Sequence, residues 1–378
     1  MIGPLRIFGG DMKKNWDIIT VLACLALCTL IGAFTLALPK KSFSAEENRA
    51  LARQPVISAR TFLQGKYFKD AAAFFSDHIA LRRGFVRGRS MAELCLGRQE
   101  VGGVLFYTDG ALAQRGLDAS EKLLLQNLDA IAALGGKAAC AIVPRAIDVC
   151  GLSCGDLGSE AAEYFARLAY TSVGGGELLS ELRRADTDEK VYYATDHHLT
   201  TYGAYAAYAF LGDELGYAPL ARDTFEVQTV TRDFRGTSYS AAGLLSFKCD
   251  SIELWRYGGD ERLKITCEGR EMPLYDFSFL DEKDKYRVFL GGNHGVVEIE
   301  GEGERPRLLL IKDSYANALI PFLALHFDIT VVDPRYTNAC WSDFADGGGY
   351  DRILIFCGID TISTGNDFAR CIERGFFG

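Results

Sequence analysis

Short apolar runs separated by helical patterns set the limits on what this chain can fold into. Ala139-Cys140-Ala141-Ile142-Val143 stops at Pro144, Leu308-Leu309-Leu310-Ile311 follows Arg307, and residues 328–332 and 352–357 repeat the theme. Strands without polar alternation need cover on both faces, which is the habit of a parallel sheet flanked by helices. Helical stretches lie around them at 121–134, closed by Gly135-Gly136, at 161–170, 177–184 and 315–325, and from about 367 to 374. The expected class is α/β. Residues 224–231, 252–257 and 286–290 alternate like antiparallel strands, so a β-rich insertion is expected at about 225–300. Residues 102–107 read as one more strand, ended by Asp109-Gly110.

The N-terminal region reads differently. Residues 18–38 form an uninterrupted apolar or small stretch, enough to cross a hydrocarbon core as a helix. Arg6, Lys13 and Lys14 precede it, which by the positive-inside rule keeps 1–17 cytoplasmic and places the chain after Pro39 outside. Leu36-Ala37-Leu38 is a poor cleavage site and the apolar run is long for a signal peptide, so a retained signal anchor at 18–38 is expected. Residues 39–100 read as a helical lead-in to the main domain, 101–378. Ser44 and Glu47 have capping-box spacing, and Phe62, Phe68, Phe74, Phe75 and Ile79 recur near the helical period, as if to pack against that domain. His78 beside Asp77 reads as a hydrogen-bonded structural histidine.

A net charge of −9 offers no basic field for nucleic acid, and no nucleic-acid motif is present. Among eleven cysteines, none has zinc-site spacing. Cys150 and Cys154 flank a turn that a disulfide can close, while Cys140, Cys357 and Cys371 read as small buried hydrophobes. Gly174-Gly175-Gly176 lacks the lysine-threonine partner of a phosphate loop and reads as a plain loop.

Two polar stations can carry chemistry. Thr195-Asp196-His197-His198-Leu199-Thr200 lies between the strand-like Val191-Tyr192-Tyr193 and an alanine-rich helix starting near Tyr202. A strand end is where open α/β sheets gather ligands, although Asp196 and Thr200 can equally serve as helix caps. At the second station, Leu308 to Ile311 runs through Lys312-Asp313 into Ser314 at the mouth of a helix, a turn that exposes a hydroxyl to backbone donors. Capping by Asp313 or Ser314 is the plainer reading. Together the stations supply the three members of a hydrolase triad, whose chain order is free to vary. His198 takes the Ser314 proton, Asp196 orients His198, and His197 competes for the base role. Such chemistry needs neither metal nor organic cofactor. A metal site of Asp196, His197 and His198 is disfavoured, because neighbouring side chains on an extended strand point to opposite faces. Ser238, in Gly236-Thr237-Ser238-Tyr239-Ser240, is a weaker nucleophile candidate because no apolar strand feeds it.

The chain resembles the DHHW family, which is similar to the SGNH-hydrolase-like domains of the alginate O-acetyltransferase group. The resemblance runs through Glu46-Glu47-Asn48-Arg49, Phe75-Ser76-Asp77-His78 with Leu81-Arg82, Val143-Pro144, and Asp196-His197-His198 with Thr200, Gly203 and Tyr205. It continues through Phe234-Arg235-Gly236-Thr237, Phe289-Leu290-Gly291-Gly292-Asn293-His294, Lys312-Asp313-Ser314-Tyr315-Ala316-Asn317 with Pro321-Phe322, and Val332-Asp333-Pro334-Arg335-Tyr336. It implies an SGNH-like fold over 101–378 and a triad of Asp196, His198 and Ser314, with the base at His198 rather than His197. It further implies Asn293 as an oxyanion-hole donor and Arg335 against a carbohydrate or anionic substrate group. The function implied is a membrane-anchored extracytoplasmic O-acyltransferase or esterase acting on a cell-surface polysaccharide through an acyl-serine. A transferase of this kind needs a membrane-bound O-acyltransferase partner to deliver acetyl. The family tryptophan is Leu199 here, which has no N–H and no π-face. That departure motivates an alternative, a catalytically silent glycan-binding or assembly module of the same fold.

Overall fold

The computed structural model describes residues 9–44, 46–47, 49–107, 110–114, 119–134, 138–150, 178–345 and 349–373. Cys154, the helix expected at 161–170, the triple glycine and the glycines at 135 and 136 lie outside them. The chain divides into two units, Met1–Cys95 and Leu96–Gly378.

The first unit opens with α1 (Gly9–Ala37), whose segment Trp16–Ala37, 22 residues, is long and apolar enough to cross a membrane. The Ser44 region is not a helix start: Phe43–Ser44 pairs antiparallel with Arg49–Ala50. Ser44 Oγ does accept the Glu47 N–H at 3.2 Å, but the Glu47 carboxylate goes to Arg82 instead of back to the chain start, so the box never closes. Two amphipathic helices follow, α2 (Lys66–His78) and α3 (Arg82–Cys95). His78 is structural, with Nδ1 2.8 Å from Phe74 O and Nε2 2.9 Å from Lys41 O.

The second unit is a mixed α/β fold around a seven-stranded sheet. In chain order its strands are β1 (Ala139–Val143), β2 (Lys264–Cys267), β3 (Arg270–Glu271), β4 (Val296–Glu300), β5 (Arg307–Lys312), β6 (Asp328–Val332) and β7 (Arg352–Gly358). They lie in the order β3-β2-β4-β6-β5-β7-β1. β6, β5, β7 and β1 run parallel, while β4 pairs antiparallel with β6 and with β2. The sheet is therefore mixed, its parallel half made of the apolar runs. Alternation along β5 shows why both faces need cover: Leu308 and Leu310 enter one core with Tyr208 and Leu211, Leu309 and Ile311 the other with Leu124, Leu128 and Phe368. Each such side chain stabilises the fold by about 1.5–3 kcal/mol through burial.

The β-rich stretch divides. Glu226–Phe234 and Asp250–Arg256 make a separate antiparallel hairpin, while β2, β3 and β4 extend the main sheet. Residues 285–288 form a 3-10 turn (Lys285–Val288) where a strand was expected. The strand expected at 102–107 turns back at Gly102 and Gly103, with φ of 61° and 75°, to pair Glu100–Val101 with Val104–Phe106. The helix expected at 315–325 is also broken, into the 3-10 turn Ser314–Ala316 and the short helix Ile320–Leu323. Pro321 has no N–H to give the Asn317 carbonyl, so no continuous helix can pass.

Candidate active site

The segment Asp196 to Thr200 is a bend, not a strand end. Tyr192 and Leu199 share one antiparallel bridge, and Tyr193 N–H donates to His198 O at 3.3 Å, closing the turn between them. The Asp250 carboxylate, from the hairpin, accepts the Ala194 N–H at 2.9 Å, the Thr195 N–H at 2.8 Å and the Thr195 hydroxyl at 2.6 Å. Thr237 donates its N–H and its hydroxyl to Asp196 Oδ2 at 2.6 and 2.9 Å. Gly236 is required for that approach, since a Cβ there would stand 2.1 Å from the same oxygen.

Asp196 Oδ1 accepts the His198 backbone N–H at 2.9 Å and ring Nδ1 at 2.5 Å. Burial alone would raise the carboxyl pKa, but His198, then His197, and the hydrogen bonds from His198 and Thr237 outweigh it and hold Asp196 well below the usual carboxylate range. Ionised, it can only accept, so Nδ1 of His198 carries a proton, and in the neutral imidazole Nε2 is the lone-pair nitrogen. That Nε2 is buried and has no hydrogen-bond partner among the described residues. The ring lies flat on Tyr286, centroids 3.9 Å apart at 10°. Thr200, not Asp196, caps the following helix, its hydroxyl accepting Gly203 N–H at 3.0 Å.

Ser314 follows the end of β5 after Asp313 and is half-buried. Its turn is fixed through Asp313, which accepts Tyr315 N–H at 3.0 Å, Gly358 N–H at 2.8 Å and the Thr361 hydroxyl at 2.6 Å. Asp313 is thus the cap, and the Ser314 side chain is left out of that work. Two contacts bring the turn to the histidines. The hydroxyl of Tyr286, whose ring carries His198, donates to Ser314 O at 3.4 Å, and the Tyr315 ring is 5.6 Å from those of both His197 and His198. The Ser314 hydroxyl is not hydrogen-bonded to Nε2 in this conformation.

His197 is engaged elsewhere. Its Nδ1 lies 2.6 Å from Thr237 Oγ1, whose hydrogen goes to the Asp196 carboxylate, so Nδ1 is the donor. Burial, followed by His198 and with Arg335 adding, pushes His197 down to about 3. The two rings are 3.9 Å apart, and the ligand atoms of Asp196, His197 and His198 lie within 4.8 Å of one another. The expectation that these histidines face opposite ways is therefore wrong, because the segment bends. Both Asp196 oxygens are nevertheless occupied by donors, and Nδ1 of His198 faces Asp196, which leaves a metal only the outer ring nitrogens. Ser238 is fully buried on the short helix Thr237–Ala242, out of reach of a polymeric substrate.

Asn293 stands on a loop in which Leu290, Gly291 and Gly292 all have positive φ, at 58°, 66° and 105°. Its Oδ1 accepts from Lys312 Nζ at 3.2 Å and Asn317 Nδ2 at 3.1 Å. A lysine can only donate, so the atom it touches is the oxygen and the Asn293 amide N–H groups point the other way. Lys312 is buried between Asn317 Oδ1 at 2.7 Å and Asp333 Oδ2 at 3.5 Å. Burial lowers it from 10.5 to about 8 against the pull of Asp333. Arg335 spends its fork on Asp333, at 2.9 and 2.7 Å.

That depressed lysine has a measurable sign. Between about pH 8 and 10.5 the unfolded chain binds the proton that the folded chain has lost, so stability gains from this group as pH rises. The unfolding free energy of the wild type minus that of Lys312→Met should climb through this window in denaturant melts. A gap that stays flat from pH 7 to 10 would contradict the buried-amine assignment.

A family model described as DHHW protein matches residues 127–332, more than half of the 378-residue chain. The chain belongs to the DHHW family. No curated protein matches it. Among solved structures, a DHHW family protein of Eubacterium siraeum is 21% identical and superposes with a TM-score of 0.56, covering 73% of this chain and 96% of that one. PatB1 of Bacillus cereus, in a structure with a sulfonyl adduct, is 17% identical with a TM-score of 0.57, covering 70% and 98%. The O-acetyltransferase domain of Pseudomonas putida AlgJ is 15% identical over 72% and 99%, at a TM-score of 0.43. Leu199, which replaces the DHHW tryptophan, is fully buried in the core around Tyr208 and Leu254. Its task is packing, and the position offers no face to a sugar ring.

Tyr286, Thr237, Asp250 and Lys312 are site residues that sequence reasoning did not single out. The signal for Thr237 was present in Gly236-Thr237, where a glycine precedes a hydrogen-bonding residue, but it was read there for Ser238.

Proposed function

We propose that this DHHW-family chain is a membrane-anchored, extracytoplasmic O-acyltransferase or esterase of SGNH-hydrolase type that acts on a cell-surface polysaccharide through an acyl-serine at Ser314. What carries this reading is the Asp196–His198 pair, whose lone-pair Nε2 is left bare beside the turn bearing Ser314. Rotation of Ser314 Oγ to about 2.6–3.2 Å from Nε2 completes the base contact. Oγ then attacks the acyl carbonyl carbon and its proton passes to Nε2. Asp196 stabilises the imidazolium through Nδ1–H. The Ser314 N–H and the outward amide of Asn293 receive the oxyanion. Collapse breaks the bond to the donor oxygen, which leaves with the proton from Nε2. A sugar hydroxyl, or water, next gives its proton to Nε2 and attacks the Ser314 ester; collapse breaks the bond between Oγ and the acyl carbon, Nε2 returns the proton to Oγ, and the acyl group leaves on the acceptor oxygen. The polysaccharide and acetyl assignments come from the family's resemblance to the alginate O-acetyltransferase group, as does the membrane-bound O-acyltransferase that would supply acetyl.

A fluorophosphonate probe on the full chain tests the central claim. One probe per chain, found by peptide mass on the Lys312–Asn317 segment, is the expected result. A chain that stays unlabelled and turns over no acetyl ester, yet binds an anionic glycan, is instead the silent module. Asn293→Ala should lower kcat on a chromogenic acetyl ester by about 10²–10³ with little change in KM, the usual effect of losing one oxyanion donor. A loss confined to KM would move Asn293 to substrate binding.

A further inference from the structure

The first unit carries an apolar face that stays exposed among the described residues. Phe68 and Phe75, seven residues apart on α2 and so on one side of it, are 55% and 54% exposed. Phe62 packs on Phe68 at 5.0 Å, and the face runs on through Ile79 to Leu81 at the corner between α2 and α3. Leu81 is 74% exposed and sits at φ 59°. A bulky side chain in that left-handed conformation costs on the order of 1–2 kcal/mol and belongs by habit to glycine or asparagine.

A second observation says what covers it. Ala80 N–H, next to Leu81, donates to Thr35 Oγ1 at 2.9 Å, and His78 Nε2 lies 2.9 Å from Lys41 O. Thr35 belongs to the apolar segment Trp16–Ala37, two residues before its end. At 1.5 Å per residue those 22 residues reach about 33 Å, close to the roughly 30 Å of a hydrocarbon core. A side chain two residues from the end then lies about 3 Å inside the boundary. The corner is pinned where hydrocarbon gives way to headgroups.

We infer that the α2–α3 corner lies in the outer leaflet's interface, with Phe75, Ile79 and Leu81 among the acyl chains. The inference rests on the anchored reading proposed above. It makes the anchor a span plus an in-plane platform. Leu81 is retained at a strained position because it is buried in lipid, not in protein.

The test uses the full chain in nanodiscs of phosphatidylcholine and phosphatidylglycerol, with and without bromine at shallow acyl positions, and compares tryptophan emission of the wild type, Trp16→Phe, Phe75→Trp and Ile79→Trp. The difference between the wild type and Trp16→Phe reads the span itself. The indole introduced at position 75 or 79 should be blue-shifted and quenched roughly twofold, as for a side chain about 5–10 Å into the headgroup boundary. If Trp16 is quenched while the indoles at 75 and 79 keep their full emission, the platform is overturned and the face is covered by another part of the chain, as the lead-in reading has it. If Trp16 also escapes quenching, the anchored reading fails and the platform with it. Using two positions keeps the result readable should either variant fail to fold.

Discussion

Ser314→Ala should lower the turnover of a chromogenic acetyl ester by on the order of 10⁵–10⁶-fold, with KM and thermal stability close to wild type. The size follows from what the hydroxyl is asked to do, because no other described serine stands at the end of a sheet strand beside His198. The selectivity follows from the packing. Asp313 bears the mechanical load of the turn through Tyr315, Gly358 and Thr361, so removing Oγ breaks none of the bonds that shape it. A half-buried serine without a structural role changes stability by about 0.5 kcal/mol or less. Activity and folding should therefore separate cleanly, with steady-state kinetics and a thermal melt as the two readouts. A variant that keeps a tenth of wild-type turnover would remove Ser314 from the mechanism. One that unfolds would show that the turn depends on a bond this structure does not contain.

How much of this was readable beforehand depends on how local each signal is. The strands β1, β5, β6 and β7 announce themselves because a strand covered on both faces is apolar at nearly every inner position, a pattern confined to four or five consecutive residues. Ser314 was readable for the same reason, standing three residues after Ile311. Asp196 and His198 were readable as a pair because a spacing of two lets a carboxylate reach both the backbone N–H and the ring of the second residue. The rest depends on contacts between distant parts of the chain. Thr237 meets Asp196 across 41 residues, and Asp250 meets Thr195 across 55. Nothing within either local window says that it will. Tyr286 looked like a strand residue because aromatics favour strands, yet its place is set by the His198 ring it supports. Gly236 gives no local signal for a related reason: what it contributes is a missing Cβ beside Asp196, which becomes information only once the two segments meet. The hairpin that looked like an insertion in an α/β order thus supplies, through Asp250 and through Thr237 on the short helix between its strands, the clamp on the bend from Asp196 to Thr200.

Asp196→Asn should cut kcat by about 10⁴ and also cost stability, which distinguishes it from the serine variant. Both Asp196 oxygens face donors: the His198 N–H and Nδ1–H on one side, the Thr237 N–H and hydroxyl on the other. An asparagine has one acceptor to offer. With its carbonyl toward His198, its NH₂ meets the Thr237 N–H head-on. With the carbonyl toward Thr237, the NH₂ donates to Nδ1, moves the imidazole proton to Nε2 and leaves no lone pair for Ser314. Either arrangement strands a buried donor, worth about 1–3 kcal/mol of stability. The pH dependence has a definite sign. Asp196 titrates well below the ordinary carboxylate value of about 3.9, so its contribution is fully present above that value and is lost only as pH falls through the folded pKa. The stability gap between wild type and Asp196→Asn should be level from about pH 8 to 5 and shrink only below about pH 4. Urea melts across that range measure it, and a gap that closed near pH 6 would mean that a histidine, not the carboxylate, controls the bend. His197→Ala separates the two imidazoles in the same assay. Its ring donates to Thr237 and contributes no base, so its kcat loss should be far smaller than that of His198→Ala, and equal losses would reassign the proton acceptor.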